Sequence, residues 1–452
     1  MHKIRSQIVA FLCQLTSKRF QKLGREFFWI SSGQALTILG AIVGVRLLTG
    51  VLSPEIYGEL ALGMTIAMLG NQIVLGPLCA AAVRFFAPAV EAREFSHFLH
   101  ALRGMALKAT GLMLLIAFIV CVGLLLTKQF NWLLLSVTAV FFALLSGYGA
   151  ILDSMQNAAR QRVVVAWHSA LASWGRFLMA AGLVVWLGAN SAIAMLGYVL
   201  ASIVVLISQI WFFKNKYLTN SNNTFGEKVC SNNWGSKMFI YAWPFASWGI
   251  FTWAQSASDR WALMLFTSNY EVGLYAVLYQ LGYYPITILS GLMVQLIAPI
   301  LYQRAGDASN AFRVQQVYTL NWRLTLITLF LTFVAVFAAA VFYNPLFSLL
   351  VAHEYHSVAW LLPWVVLSGG LFATSQSASL SLMSGSEARS LLTPKVVTAI
   401  VGVLLNFVGA AWHGIIGVVG ANLIFSIGYL IWIFYLLRVH NNQLMRLSSA
   451  IT

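Results

Sequence analysis

Long apolar runs alternate with short polar stretches along nearly the whole chain. A bilayer core about 30 Å thick needs about 20 consecutive apolar residues in helical form. Twelve runs meet that length: 27–51, 57–81, 104–126, 131–153, 164–187, 193–213, 238–266, 271–300, 321–343, 358–383, 394–412 and 415–437. The pattern predicts an all-α integral membrane protein of twelve transmembrane helices. Residues 1–26 carry Ile4, Ile8, Leu12, Leu15 and Leu23 near helical spacing among six Lys and Arg, which predicts a basic amphipathic segment on the membrane surface. That segment lacks a compact apolar core followed by a small-residue cleavage site, so it does not read as a cleaved signal peptide.

Composition agrees: 60% of the 452 residues are hydrophobic, 9% are charged, and the mean hydropathy is +0.81. Trp, Tyr and Phe are abundant, as suits interfacial anchors. The net charge of +15 would suggest a nucleic-acid partner in a soluble protein, but its distribution removes that reading. With the N-terminus inside, all but four of the 27 Lys and Arg fall in cytoplasmic segments. Lys128 lies on the opposite face, and Arg46, Arg176 and Arg260 fall within spans. This positive-inside asymmetry predicts that both termini are cytoplasmic, the flanking cations meeting anionic lipid.

The chain also repeats itself. Arg46 and the following LLTGVLSPEIYGELALG match Arg260 and WALMLFTSNYEVGLYAVLYQLG, with Gly58 and Gly273 at corresponding places after a short outer turn. DSMQNAARQR at 153–162 and SLMSGSEAR at 381–389 each close a fourth helix and lead into a fifth. The organisation predicted is an N-terminal segment 1–26, a six-helix bundle 27–213, a cytoplasmic linker 214–237, a second bundle 238–438 and a tail 439–452. Each half has an even number of helices, so the two are related by a pseudo-two-fold along the membrane normal, with a central cleft between them.

Charges inside spans are the informative residues, because an Arg at helix centre costs about 2.5–3.5 kcal/mol on insertion scales. Arg176, about a dozen residues into the fifth span, is too deep to reach either surface. It is the leading candidate for binding an anionic cargo, the alternative being a structural pair with an acid or carbonyl. Arg46 lies roughly 7.5 Å short of its outer helix end. It is either a second cargo contact, a side chain snorkelling outward, or a partner of Glu55 or Glu59. Arg260, its repeat mate, is a third cargo candidate, against an ion pair with Asp259. Asp259 and Asp153 are candidates for a coupling proton or sodium ion, against structural pairing with a nearby Arg.

Catalytic patterns are absent or weak. HEYH at 353–356 spaces its histidines by three and sits in an outer loop, unlike the HExxH of zinc proteases, and no Walker A sequence occurs. Neither a disulfide nor a metal site is implied by Cys13, Cys79, Cys121 and Cys230. Gly414, Gly417 and Gly420, spaced by three, predict close helix approach. Pro244, Pro285, Pro299 and Pro363 predict breaks or kinks in spans seven, eight and ten, tolerated where helices line a cavity.

Several stretches together resemble one family. SASDRWALMLFTSNYEVGLYAVLYQLG (256–282) is similar to the Asp-Arg and Val-Gly-Leu-Tyr-Ala of Wzx-type polysaccharide flippases, in the multidrug/oligosaccharidyl-lipid/polysaccharide exporter superfamily. LSPEIYGELALG (52–63) resembles their first outer turn, AHEYHSVAWLLPWVVLS (352–368) the entry to their tenth helix, and GIIGVVGANLIFSIGYL (414–430) their twelfth. The chain departs from the family at Ala352-His353-Glu354-Tyr355, where Gly-Glu-Tyr is usual.

The resemblance implies a bacterial inner-membrane flippase, without cofactor, that moves an undecaprenyl-diphosphate-linked oligosaccharide to the periplasmic leaflet. The products would be O-antigen of lipopolysaccharide, capsule or exopolysaccharide, with a polysaccharide polymerase and chain-length regulator as partners. Twelve helices, rather than the fourteen of lipid II flippases, favour that branch. The rivals are a cation-coupled multidrug exporter of the same superfamily, whose cavity should be acidic, and a non-transporting scaffold of the assembly machinery. A polymerase or glycosyltransferase is disfavoured by the short loops and few acids.

Overall fold

A computed structural model describes residues 18–218, 233–305, 311–384 and 388–449. Residues 1–17 of the amphipathic segment, 219–232 of the linker, and with them Cys13 and Cys230, lie outside the described residues. All regular elements among the described residues are helical. In chain order they are α1 (Lys18–Thr49), α2 (Pro54–Gly70), α3 (Gly76–Glu91), α4 (Phe95–Leu126), α5 (Phe130–Ala158), α6 (Arg162–Leu187) and α7 (Ser191–Phe213). There follow α8 (Trp234–Phe266), α9 (Asn269–Leu278), α10 (Tyr284–Ala305), α11 (Ala311–Leu350), α12 (Leu362–Ser384) and α13 (Leu392–Ser449). One π turn, Asn71–Leu75, joins α2 to α3, a second, Lys214–Leu218, follows α7 and a third, Tyr279–Tyr283, joins α9 to α10; 3-10 turns precede α12 and α13.

Among the described residues, ten segments are long and apolar enough to cross a membrane. The expected count of twelve differs from this for two physical reasons. The segment Thr393–Asn441 holds both of the last two expected spans, which meet at a break where His413 and Gly414 leave helical geometry. The expected seventh span, α8, is a continuous helix of 33 residues that is less apolar. Phe239, Ile240 and Trp243 are exposed in its first half, while Ser258 and Asp259 are buried nearer its end. The basic segment merges with the first span, since Lys18–Thr49 is one helix, and α13 runs into the predicted tail.

Repeat-matched glycines lie where the halves cross. A Cβ built on Gly58 would overlap the carbonyl oxygen of Asn269, and one built on Gly273 would overlap that of Pro54. A residue and its repeat mate can meet reciprocally only on the axis that relates them, so α2 and α9 cross on the pseudo-two-fold. Below the crossing, the indole N–H of Trp253 donates to the Thr65 carbonyl at 2.7 Å and that of Trp261 to the Thr65 hydroxyl at 2.9 Å. Nearer the other end, Gly249 of α8 lies against the backbone of Gln72, and buried Glu94 accepts from the Trp234 indole at 2.8 Å.

The outer end, opposite the basic segments, is closed by a second set of contacts between the halves. Tyr355, fully buried, donates to the Leu52 carbonyl at 2.8 Å and meets Tyr57 edge to face. Ala352 N donates to Thr49 Oγ1 at 3.2 Å. Gly414, at φ 54°, allows the last helical hairpin to turn sharply, and Glu271 of α9 accepts from Ile415 N at 3.2 Å, capping the helix that follows. Gly417 packs backbone to backbone against Gly409, as small residues at a helix interface allow, whereas Gly420 faces open space.

Candidate functional site

Inside the outer closure lies a cavity of about 610 Å³ between the halves, with walls from α1, α2, α5, α6, α7, α8 and α9. Two arginines expected to bind cargo, Arg176 and Arg260, both line it. Tyr57, Asn71, Gln72, Tyr198, Ser256, Tyr279 and Gln280 supply further polar groups, and no carboxylate lines it among the described residues. Two of the π turns contribute, through Asn71 and Gln72 on one and Tyr279 and Gln280 on the other. A π turn rotates side chains out of the regular helical register, a device common at functional sites.

The two arginines are held differently. Arg260 Nη1 donates to the Ser256 carbonyl at 3.0 Å and lies 3.4 Å from Asp259 Oδ1. Its guanidinium sits over the Tyr279 ring at 4.4 Å, a cation–π contact. Asp259, buried, accepts from the Arg260 backbone N–H at 2.8 Å and from the Tyr275 hydroxyl at 2.7 Å. Asn422 donates in turn to Tyr275 at 2.9 Å, and next to Asp259, Ser258 accepts from Asn406 at 2.9 Å. Asp259 does not line the cavity; it is tied into this network.

Arg176 is half-buried, and its Nε donates to the Ala172 carbonyl one turn back at 3.1 Å. It has no acidic partner among the described residues, where the single ion pair is Arg260 with Asp259. The terminal amino groups of Arg176 are therefore available to the cavity.

Arg176 also lines a second, smaller cavity of about 210 Å³ within the N-terminal half, shared with Asp153, His168 and Gln209. Gln209 Nε2 donates to Asp153 Oδ1 at 2.8 Å, while its Oε1 is buried and has no hydrogen-bond partner among the described residues. His168 Nδ1 pairs with the Val164 carbonyl at 2.8 Å and Nε2 with Ser208 at 3.1 Å. Phe142, Ser146 and Arg176 belong to the walls of both cavities, so the two adjoin.

Arg46 lies apart from both. It is exposed and its Nη1 donates to the Val351 carbonyl at 2.6 Å, across the outer end of the halves. Neither Glu55 nor Glu59 pairs with it; Glu59 accepts instead from Ser191 at 2.7 Å. The sequence reading missed Tyr57, Asn71, Gln72, Tyr198, Tyr279, Gln280 and Gln209. Their signal was present as amides and hydroxyls inside apolar runs, such as Asn71-Gln72 in MLGNQIVLG, but uncharged polar residues are too common in such runs to stand out.

The fold is similar to those of solved membrane transporters. A multidrug resistance MATE family transporter of the MOP superfamily, in an inward-facing conformation, matches with a TM-score of 0.64 at 14% identity, over 90% of this chain and 96% of that one. The lipid II flippase MurJ, inward closed, matches with a TM-score of 0.64 at 13% identity, over 92% of this chain and 87% of that one. A MOP superfamily transporter from Pyrococcus furiosus, described by a binding pocket of reverse polarity, matches with a TM-score of 0.56 at 13% identity, over 92% and 95%. No curated protein matches the sequence. The sequence profile of the family described as polysaccharide biosynthesis protein matches residues 23–305, and the chain belongs to that family.

Proposed function

We propose that this protein is a flippase of the bacterial inner membrane. It carries an undecaprenyl-diphosphate-linked oligosaccharide repeat unit from the cytoplasmic to the periplasmic leaflet, with both termini in the cytoplasm. The products served are O-antigen, capsule or exopolysaccharide. The observation that carries this reading is a cavity lined by two arginines and no carboxylate. Such a cavity is matched to an anionic, hydrophilic cargo and mismatched to the cationic drugs of a multidrug exporter. Family membership in polysaccharide biosynthesis and the fold likeness to a protein named as a lipid II flippase support the same cargo class.

Unaided, the diphosphate and sugars would have to cross hydrocarbon. In the proposed mechanism Arg176 receives the diphosphate or an acidic sugar through charge-assisted, bidentate contacts. Arg260, braced by Asp259 and Tyr279, supplies the second positive charge, and the amides, hydroxyls and tyrosine rings face the glycan. The lipid tail stays in the bilayer. Arg46 and the Tyr355 contact hold the outer end shut until the halves rock about the Gly58–Gly273 crossing. Asp153, with the unpaired Gln209 oxygen beside it, offers acceptors for a coupling proton or sodium ion in a chamber that shares Arg176 with the cargo cavity.

The test replaces Arg176 by Ala and by Lys at equal expression, with surface polysaccharide as the readout. Ala is expected to abolish it and Lys to leave a fraction, because an ammonium keeps the charge without the bidentate fork. Normal surface glycan with Ala sinks the cargo role. Transport of labelled lipid-linked oligosaccharide in vesicles separates a flippase from a scaffold.

A further inference from the structure

A third cavity, of about 500 Å³, lies on the outside of the N-terminal half, away from the cargo path. Helices α4 and α7 both pack on α5 but make almost no contact with each other, so a groove opens between them along the α5 surface. Its floor is apolar, built from residues such as Leu99, Ile151, Met155 and Ile210. One edge is different in kind. Ser96, Leu99, His100 and Arg103 follow the three- and four-residue spacing of a single helical face of α4, so the guanidinium of Arg103 and the imidazole of His100 form a polar rim one turn apart, with Arg103 its permanent cation.

Both rim residues are exposed, and neither has a hydrogen-bond or ion-pair partner among the described residues. Among the described residues no carboxylate lines the groove. The nearby buried acid, Glu94, is turned away and committed to Trp234. Lys214 and Lys216 directly follow Phe213, which closes the same end of the groove. At the far end Tyr148 is bonded to Thr110 at 2.8 Å.

Depth matters here. From Phe95 to Ala106 the groove rises about 16 Å at 1.5 Å per residue. Arg103 and Lys108 flank the apolar part of α4, so the rim lies at headgroup level and the floor reaches into the acyl region. On the positive-inside reading this is the cytoplasmic leaflet. A basic pocket between membrane helices at that level is chemically suited to an anionic lipid headgroup.

We propose that this groove is a binding site for an anionic phospholipid of the inner leaflet, its phosphate on His100 and Arg103 and an acyl chain along the floor. The site is separate from the cargo cavity and does not depend on what the cavity carries.

Native mass spectrometry of the full chain, purified in mild detergent and titrated with phosphatidylglycerol or phosphatidylcholine, tests it. The wild type is expected to retain the anionic lipid preferentially. Arg103→Gln should weaken retention about fivefold, the effect of roughly one surface cation. Ile210→Trp, at a half-exposed floor position, should block retention with the rim side chains intact. Unchanged melting temperatures check that both variants fold. Equal retention of phosphatidylcholine, loss with Arg103→Gln but not with Ile210→Trp, or crosslinking of position 210 to residues 219–232 with no lipid held would each overturn the proposal.

Discussion

At the scale of single residues, four charges within the expected spans illustrate four ways of tolerating a charge in a membrane protein. Arg260 is compensated by Asp259 and an aromatic ring, Arg46 reaches an outer backbone carbonyl, and Asp153 takes an amide donor. Arg176 alone among them keeps its terminal donors for the cavity. Two predictions follow from these differences. Asp259→Ala strips Tyr275 and Arg260 of their shared acceptor, and breaking a buried pair in this way costs about 3–5 kcal/mol. A clear drop in the melting temperature in detergent is expected, with Asp259→Asn milder because it retains an acceptor oxygen. Asp153→Asn, by contrast, should leave melting nearly unchanged while removing any proton or sodium dependence of transport in vesicles. A variant that still transports with the wild-type ion dependence would end the coupling role.

At the scale of elements, the stretch 256–282 works as one device. Asp259 and Arg260 form a pair in the last two turns of α8, Glu271 caps the helix after Gly414, Gly273 makes the axial crossing, and Tyr279 and Gln280 enter the cavity on a π turn. The resemblance of this stretch to a family pattern thus has a mechanical content that spacing alone did not reveal. Gly58→Ala or Gly273→Ala puts a methyl into a backbone carbonyl, which cannot move aside as a side chain can. Loss of at least ~1–3 kcal/mol, the usual cost of overpacking, is expected for each. Gly420→Ala meets open space and should be neutral in the same melting assay. Wild-type melting of Gly58→Ala would show that the crossing can slide.

At the scale of the whole molecule, the halves touch at the outer end, along the axial crossing and through α8, and the cavity lies among these contacts. If the proposed flippase works by alternating access, the outer set has to break: Arg46 with Val351, Thr49 with Ala352, and Tyr355 with Leu52. A chain freed of its native cysteines and carrying Thr49→Cys and Ala352→Cys is predicted to crosslink under oxidation and to lose transport. Reduction should restore it. Full activity in the crosslinked protein would mean that the outer end never opens there.

Much of this was legible without coordinates. The length and spacing of apolar runs determined the helical membrane class, because hydrocarbon forces every backbone polar group into an internal hydrogen bond. The repeat paired Gly58 with Gly273 and Arg46 with Arg260, and the cost of burying charge singled out Arg176. Tertiary structure decided which of these residues share a space. A pattern along one helix states how deep a side chain lies but not which neighbour its face meets. That depends on the crossing of helices from opposite halves. The same packing sent Arg260 into the cavity and its repeat mate Arg46 to the outer clasp, sealed Asp259 in a network, and gathered uncharged amides and tyrosines that no local pattern had marked.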